Sequence, residues 1–451
     1  MIRVENRAMR TFWPIAILAL VGLLVWLGFE RPAPRPGVVV TAVARAESAP
    51  TRQIPAGPAP RIASSPVPDL HPGQVEVCGL GWVDAEPSEA QQEAIGQKIV
   101  AFAQQGRREL VRRLSESGDP FIQAVGQIAK ALGDIEEGRV QGPMGQGAES
   151  CAGAACPEEV LRVQTMTRLI DELARRAAQS VDPRLYGLAY KLCIQSLVES
   201  CTFLNARQWA RLDPENAAPW LYALNENAAD KSRSTMDEVL FQIAKAKRFD
   251  DQYFSVAGEI ARHAAEDNSS IWAANQAAVG AIGMSAARSI SVVQDLMQGC
   301  RDTALNDANR RQLCEGAART LAGRSDTLLM TRMGIGMGRR LGWDPALDDE
   351  TRGLIMAGGE SFSEEFGNQN EAMGCGGMRK LLKLFDRQAE IGEMGWARES
   401  VKTRGRTQEE YTKKGRDARL LSEVEEARRK QAQAASAAQL SPNALIHSKP
   451  N

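Results

Sequence analysis

Apolar residues in this chain recur at helical spacing over most of its length, and once they form an unbroken block. Over residues 158–178, Val163, Met166, Leu169, Ile170, Leu173 and Ala177 fall at the i, i+3, i+4, i+7 positions of one helix face. Similar stripes run through 88–116, 119–136, 236–248, 270–288 and 308–323. The pairs Asp119-Pro120, Asp182-Pro183, Asp213-Pro214 and Asp344-Pro345, with Cys156-Pro157, punctuate them as an N-cap followed by a first-turn proline. Residues 75–83 alternate and predict one short extended segment, while the Gly- and Ala-rich stretch 139–156 reads as a loop. The pattern predicts an all-α body of antiparallel helical hairpins joined by short turns.

The unbroken block is Thr11 to Phe29, which carries no charge and lies between Arg10 and Glu30. As a helix it would span roughly 28 Å, about the thickness of a bilayer's hydrocarbon core. Trp13 near one end, and Trp26 and Phe29 near the other, suit the two interfaces. The block predicts a single transmembrane signal-anchor at 11–29 behind a short cytoplasmic tail at 1–10. A cleaved signal peptide is the competing reading, with Ala44-Arg45-Ala46 as its processing site. Residues 30–73 hold ten of the 21 prolines and no periodicity, which predicts a disordered, polyproline-biased linker. The helical body then occupies 74–395, and a charged helix with a disordered tail occupies 396–451.

Composition narrows the chemistry. The 55 Lys and Arg residues balance 56 Asp and Glu residues among 451, so no charge excess favours nucleic acid. Three scattered histidines, His71, His263 and His447, leave little scope for histidine-based catalysis. Eight cysteines in a body expected in the periplasm or another extracytoplasmic space suit disulfides, although 105 pairings are open in principle. Proximity suggests Cys151–Cys156, Cys193–Cys201 and Cys300–Cys314, which leaves Cys78–Cys375. Zinc and free thiols are the alternatives, but no cysteine spacing matches a metal motif. No metal or other cofactor is expected.

Other candidate motifs have plain structural readings. Gly334-Ile335-Gly336-Met337-Gly338 lies inside a Leu/Met stripe, where Gly334 and Gly338 suit close helix packing rather than a dinucleotide loop. Gly374-Cys375-Gly376-Gly377 reads as a loop around a disulfide. The carboxylate pairs Glu158-Glu159 and Glu364-Glu365 read as solvated helix faces. Residues 398–430 contain 11 basic and seven acidic residues, with spacings such as Glu410–Lys414, and read as a solvated helix.

Leu212-Asp213-Pro214-Glu215-Asn216-Ala217-Ala218-Pro219-Trp220, followed by two amphipathic stretches, resembles a tetratricopeptide unit over about 40 of the 451 residues. In that family an LDP closes one repeat and a Trp opens the next. Here Leu224 stands where the family has Gly, and Asn227 where it has Tyr. The resemblance implies a groove for a peptide or protein, with Trp220, Trp209 and Tyr222 as its candidate lining and Val239, Ile243 and Ala246 facing inward. Two functions follow. One is a membrane-anchored binding or scaffolding module with an envelope protein or peptide partner. The other is an exported carboxylate-dependent hydrolase of cell wall or glycan, which needs two acids converging in a cleft.

Overall fold

A computed structural model describes residues 73–141, 157–194, 196–226, 233–301, 304–366 and 372–440. The block at 11–29, the linker up to residue 72 and the pair Cys151–Cys156 lie outside them. Among the described residues the chain is mostly helical, and no helix is long and apolar enough to cross a membrane.

The segment 75–83 is not one strand. It folds into a hairpin of β1 (Gln74–Val77) and β2 (Gly81–Asp84), antiparallel, with Val75 opposite Val83. Gly79 and Gly81 take φ of +81° and +79°, which turns the chain back. A Cβ on Gly79 would also lie 2.3 Å from the Phe102 ring. Cys78, at the tip, is fully buried and donates its N–H to Met373 O at 3.0 Å. It also accepts from the Trp272 indole and is bonded to Cys375.

The helices follow as α1 (Glu89–Ser115), α2 (Pro120–Gln141), α3 (Pro157–Ala178), α4 (Pro183–Cys193), α5 (Ala206–Leu212), α6 (Ala218–Glu226) and α7 (Arg233–Lys245). After them come α8 (Ser255–His263), α9 (Asn268–Gly299), α10 (Ala308–Arg324), α11 (Leu328–Leu341), α12 (Ala346–Phe366), α13 (Cys375–Thr403) and α14 (Gln408–Leu440). Their starts show the expected capping chemistry. Ser88 and Gln91 form a reciprocal capping box, and Asp182 accepts from the Arg184 N–H ahead of Pro183. Asp213-Pro214 departs from the pattern, because it ends α5 instead of opening a helix. Asp213 is the C-cap, and Asn216 Oδ1 takes over by accepting from the Ala218 N–H at 3.0 Å.

One large apolar core runs from Val77 to Phe385 and gathers side chains from α1 through α11 and the start of α13. On α3 the buried stripe is shorter than the pattern predicts. Leu169, Ile170, Leu173 and Ala177 are buried, but Val163 is exposed; the side-chain bonds to α2 (Gln127 to Glu172, Arg176 to Gln123) lie in the C-terminal half of α3. Gly334 does serve close packing, since a Cβ there would meet Ala322 N of α10 at 2.4 Å. Gly374 is an N-cap and Cys375 already belongs to α13, so that motif is a helix start and not a loop.

A second, smaller core joins Leu354 and Ala357 of α12, Met394, Ala397 and Val401 of α13, and Tyr411 of α14. The charged C-terminal stretch is therefore not simply a solvated helix. A Cβ on Gly353 would lie 2.3 Å from Tyr411 O, and one on Gly415 would lie 2.0 Å from Asp349 O, so α12 and α14 touch backbone to backbone. Lys414 pairs with Glu360 at 2.7 Å, while Glu410 caps its own helix by accepting from the Thr407 N–H. Buried Asp349 is held by Arg419 at 2.6 Å and Arg416 at 3.5 Å, and buried Asp348 by Arg352 at 3.1 Å and Arg339 at 3.2 Å.

Candidate functional site

The predicted groove residues are mostly interior. Trp209 and Tyr222 are 0% exposed and pack with Tyr190, with ring centroids 5.7–6.4 Å apart. Trp220 is half-buried against the same core. Two of the three therefore line no surface that a partner reaches, a correction to the groove expectation. The reason is steric: glycine at position 187 lets the Trp209 indole sit where a Cβ would be only 2.5 Å away. The polar residues of the LDP motif hold a turn. Asp213 is paired with Arg248 at 2.7 Å, and Asn216 donates to Asp250 O at 2.7 Å and accepts from the Asp250 N–H at 3.0 Å.

That turn begins a short ladder between segments far apart in sequence. Ala217 N donates to Arg248 O, Phe249 N to Arg324 O, Asp326 N to Phe249 O, and Met394 N to Asp326 O, all within 2.9–3.3 Å. The ladder brings Asp250, Asp251, Asp326 and Glu393 to one junction, with Tyr253 beside them. Lys191 of α4 reaches the junction too, but its ammonium donates to the main-chain oxygen of Asp251. Two backbone positions there are left-handed, Gly392 at φ +72° and the non-glycine Gln252 at φ +58°. Gln252 is held by donating its N–H to Asp250 Oδ1 at 2.8 Å.

The carboxyls at the junction do not behave as surface acids. Burial, then the neighbouring Asp250, Asp251 and Glu393, push Asp326 well above the usual range for aspartate. Its Oδ1 is sealed from solvent and accepts no hydrogen bond among the described residues. Burial also raises Glu393, to about 7, helped by the charge of Asp251 and opposed by the Leu328 N–H, which donates to Glu393 Oε2 at 2.8 Å. Glu393 thus reaches across to cap the N-terminus of α11, where Thr327 caps from within the chain. Tyr253 is raised by burial first, then by Glu393 and Asp251. An acid that is half-protonated near neutrality is suited to moving or holding a proton.

A cavity of about 430 Å³ lies elsewhere, lined by Arg108, Glu109, Arg112, Asp267 and Ser270 among others. Its carboxylates are ionised. Hydrogen bonds from Arg112 and Arg113 hold Glu109 at about 2. At Asp267 burial acts upward, but the bonds from Ser269 and Ser270 outweigh it and hold the group at about 2. Among the described residues no group of three or more His, Cys, Asp or Glu side chains is arranged to hold a metal ion.

Of the eight cysteines, six lie in the described residues and are bonded as Cys78–Cys375, Cys193–Cys201 and Cys300–Cys314. Glu364 is exposed and ion-paired with Arg404, and His263 is half-buried with Nδ1 2.9 Å from Glu259 O. No family model, curated protein or solved structure matches the chain.

Proposed function

We propose that the chain is a membrane-anchored, exported protein whose disulfide-stapled helical body is a binding or scaffolding module of the cell envelope. The observation that carries this reading is the closure of all six described cysteines into three bonds, one of them joining positions 297 residues apart. Such bonds persist in oxidising compartments and are rare in reducing ones. In this reading the apolar block 11–29 is the anchor, and the proline-rich 30–73 holds the body away from the bilayer. The tetratricopeptide-like unit of this reading takes in helices α5–α7. Its binding face must then be an outer one, because Trp209 and Tyr222 are consumed by the core.

The test is membrane extraction combined with protease access. The protein should leave the membrane with detergent and not with high salt. The body should be cleaved by protease added outside a sealed inner membrane. Release by salt alone, or a body protected until the membrane is opened, contradicts the reading.

A second reading, an exported carboxylate-dependent hydrolase, draws on the raised acids Asp326 and Glu393. Against it, one Glu393 oxygen already caps α11, and the cavity described above lies at Arg108 and Asp267 instead. Hydrolysis of wall or glycan by the purified protein, abolished in Glu393→Gln, would favour it.

A further inference from the structure

The body uses helix α14 only over its first turns. Tyr411 sits in the small core, Gly415 lies against Asp349 O, and Arg419 holds Asp349. Past Gly415 no described side chain of the helix is buried, yet the helix runs on to Leu440. The stretch from Leu420 onward is roughly 30 Å long at 1.5 Å rise per residue. Glu423 still reaches the body, 3.8 Å from Arg339. A helix of this length without a covering element is marginal in water, and packing of one face normally stabilises it.

The face that needs a cover is visible. Leu420, Leu421 and Val424 are exposed, Leu421 to 66%. Leu420, Val424, Ala427 and Gln431 alternate steps of four and three, and the sequence continues the pattern at Ala434 and Ala438. Such steps form the seam of a coiled coil, with Leu420 and Ala427 at d and Val424 and Gln431 at a. Glu423 then stands at g and Arg428 at e. Between two parallel strands in register, each g residue meets the e residue five positions on in the other strand. Glu423 of each copy would therefore face Arg428 of the other, so the charges beside the seam are self-complementary. Arg428 forms no ion pair among the described residues, whereas Glu423 pairs with Arg419 at 3.0 Å and keeps 46% of its side chain exposed for a second cation.

We propose that the exposed part of α14 is a self-association surface, covered by the same segment of a second copy of this chain, parallel and in register. Gln431 then meets Gln431 of the second copy, and a single polar a residue sets strand number and register at a cost in affinity. Glu425, Glu426 and Arg429, at b, c and f, stay on the solvent side. A lipid surface or a strongly charged partner would call for an excess of one sign. Here Glu423, Glu425 and Glu426 balance Arg428, Arg429 and Lys430.

Sedimentation of the full chain in mild detergent, from about 1 to about 100 µM, measures how many copies each particle holds. The protein mass should double across this range. Val424→Glu, at a position 50% exposed in the single chain, should keep the fold and stay single throughout. A native chain that remains single, whether its face is open or covered by another protein, overturns the proposal. So does an assembly of more than two copies, or a Val424→Glu chain that pairs as well as the native one. Orientation is read by mixing charge variants. Tagged Glu423→Lys should retain untagged Arg428→Glu several-fold better than untagged Glu423→Lys, because only the mixed parallel pair restores both charge contacts. Equal retention overturns the parallel pairing.

Discussion

A Cβ on Gly392 would lie 2.8 Å from the Cβ of Asp326 and equally close to its carbonyl oxygen, so α13 and the turn before α11 touch with no room for a side chain. Gly392→Ala should therefore destabilise the protein twice over, through steric contact and through a left-handed backbone. A loss of about 2–4 kcal/mol is expected in denaturant unfolding. An unchanged midpoint would mean that the left-handed backbone at Gly392 is not fixed by this contact.

The half-buried acids of the junction give stability a slope with pH. Glu393 is raised from 4.5 to about 7 in the folded chain, so folding favours its protonated form. Its contribution is complete below pH 4.5, declines as pH rises through that value, and is lost by about pH 7. The loss is on the order of 3 kcal/mol, and Asp326 acts in the same direction. Unfolding measured across this window should show the decline, and Glu393→Gln, which keeps an acceptor for Leu328, should flatten it.

Asp349 is 2% exposed and depends on Arg419 and Arg416. Removing one partner with Arg419→Ala should cost about 2–4 kcal/mol and loosen α14, because a buried charge is left under-compensated. The check is proteolytic cleavage between α13 and α14, which should quicken in the variant.

The three bonds should differ in weight. By loop-closure entropy, Cys78–Cys375 contributes about 5–6 kcal/mol and Cys193–Cys201 about 2–3 kcal/mol. Replacing both cysteines of each pair by serine, one pair at a time, should lower the unfolding midpoint more for the first pair.

Much of the fold is written locally. The stripes that end in Leu173 and Ala177, the caps at Ser88 and Asp182, and the short cysteine spacings at 193–201 and 300–314 are all nearest-neighbour signals. Long-range packing decided the rest. Tyr222 has the composition of a groove residue but is buried, because Trp209 and Tyr190 close over it. Gly353 and Gly415 look like helix weaknesses, yet they let two charged helices meet. The acid junction was barely legible. Asp250, Asp326 and Glu393 are far apart in sequence, and their segments are joined by main-chain bonds of neighbouring residues, Asp326 N to Phe249 O and Met394 N to Asp326 O. Only Asp250-Asp251 beside Tyr253, and a glycine just before Glu393, hint at it.

The account rests most on the oxidised state of the body in its native compartment. Intact protein, taken from cells with an alkylating reagent present throughout and digested without reduction, should yield linked peptides for Cys78–Cys375, Cys193–Cys201 and Cys300–Cys314, with none of the six alkylated. Alkylation of these six cysteines in freshly trapped protein would place the body in a reducing compartment and contradict the account.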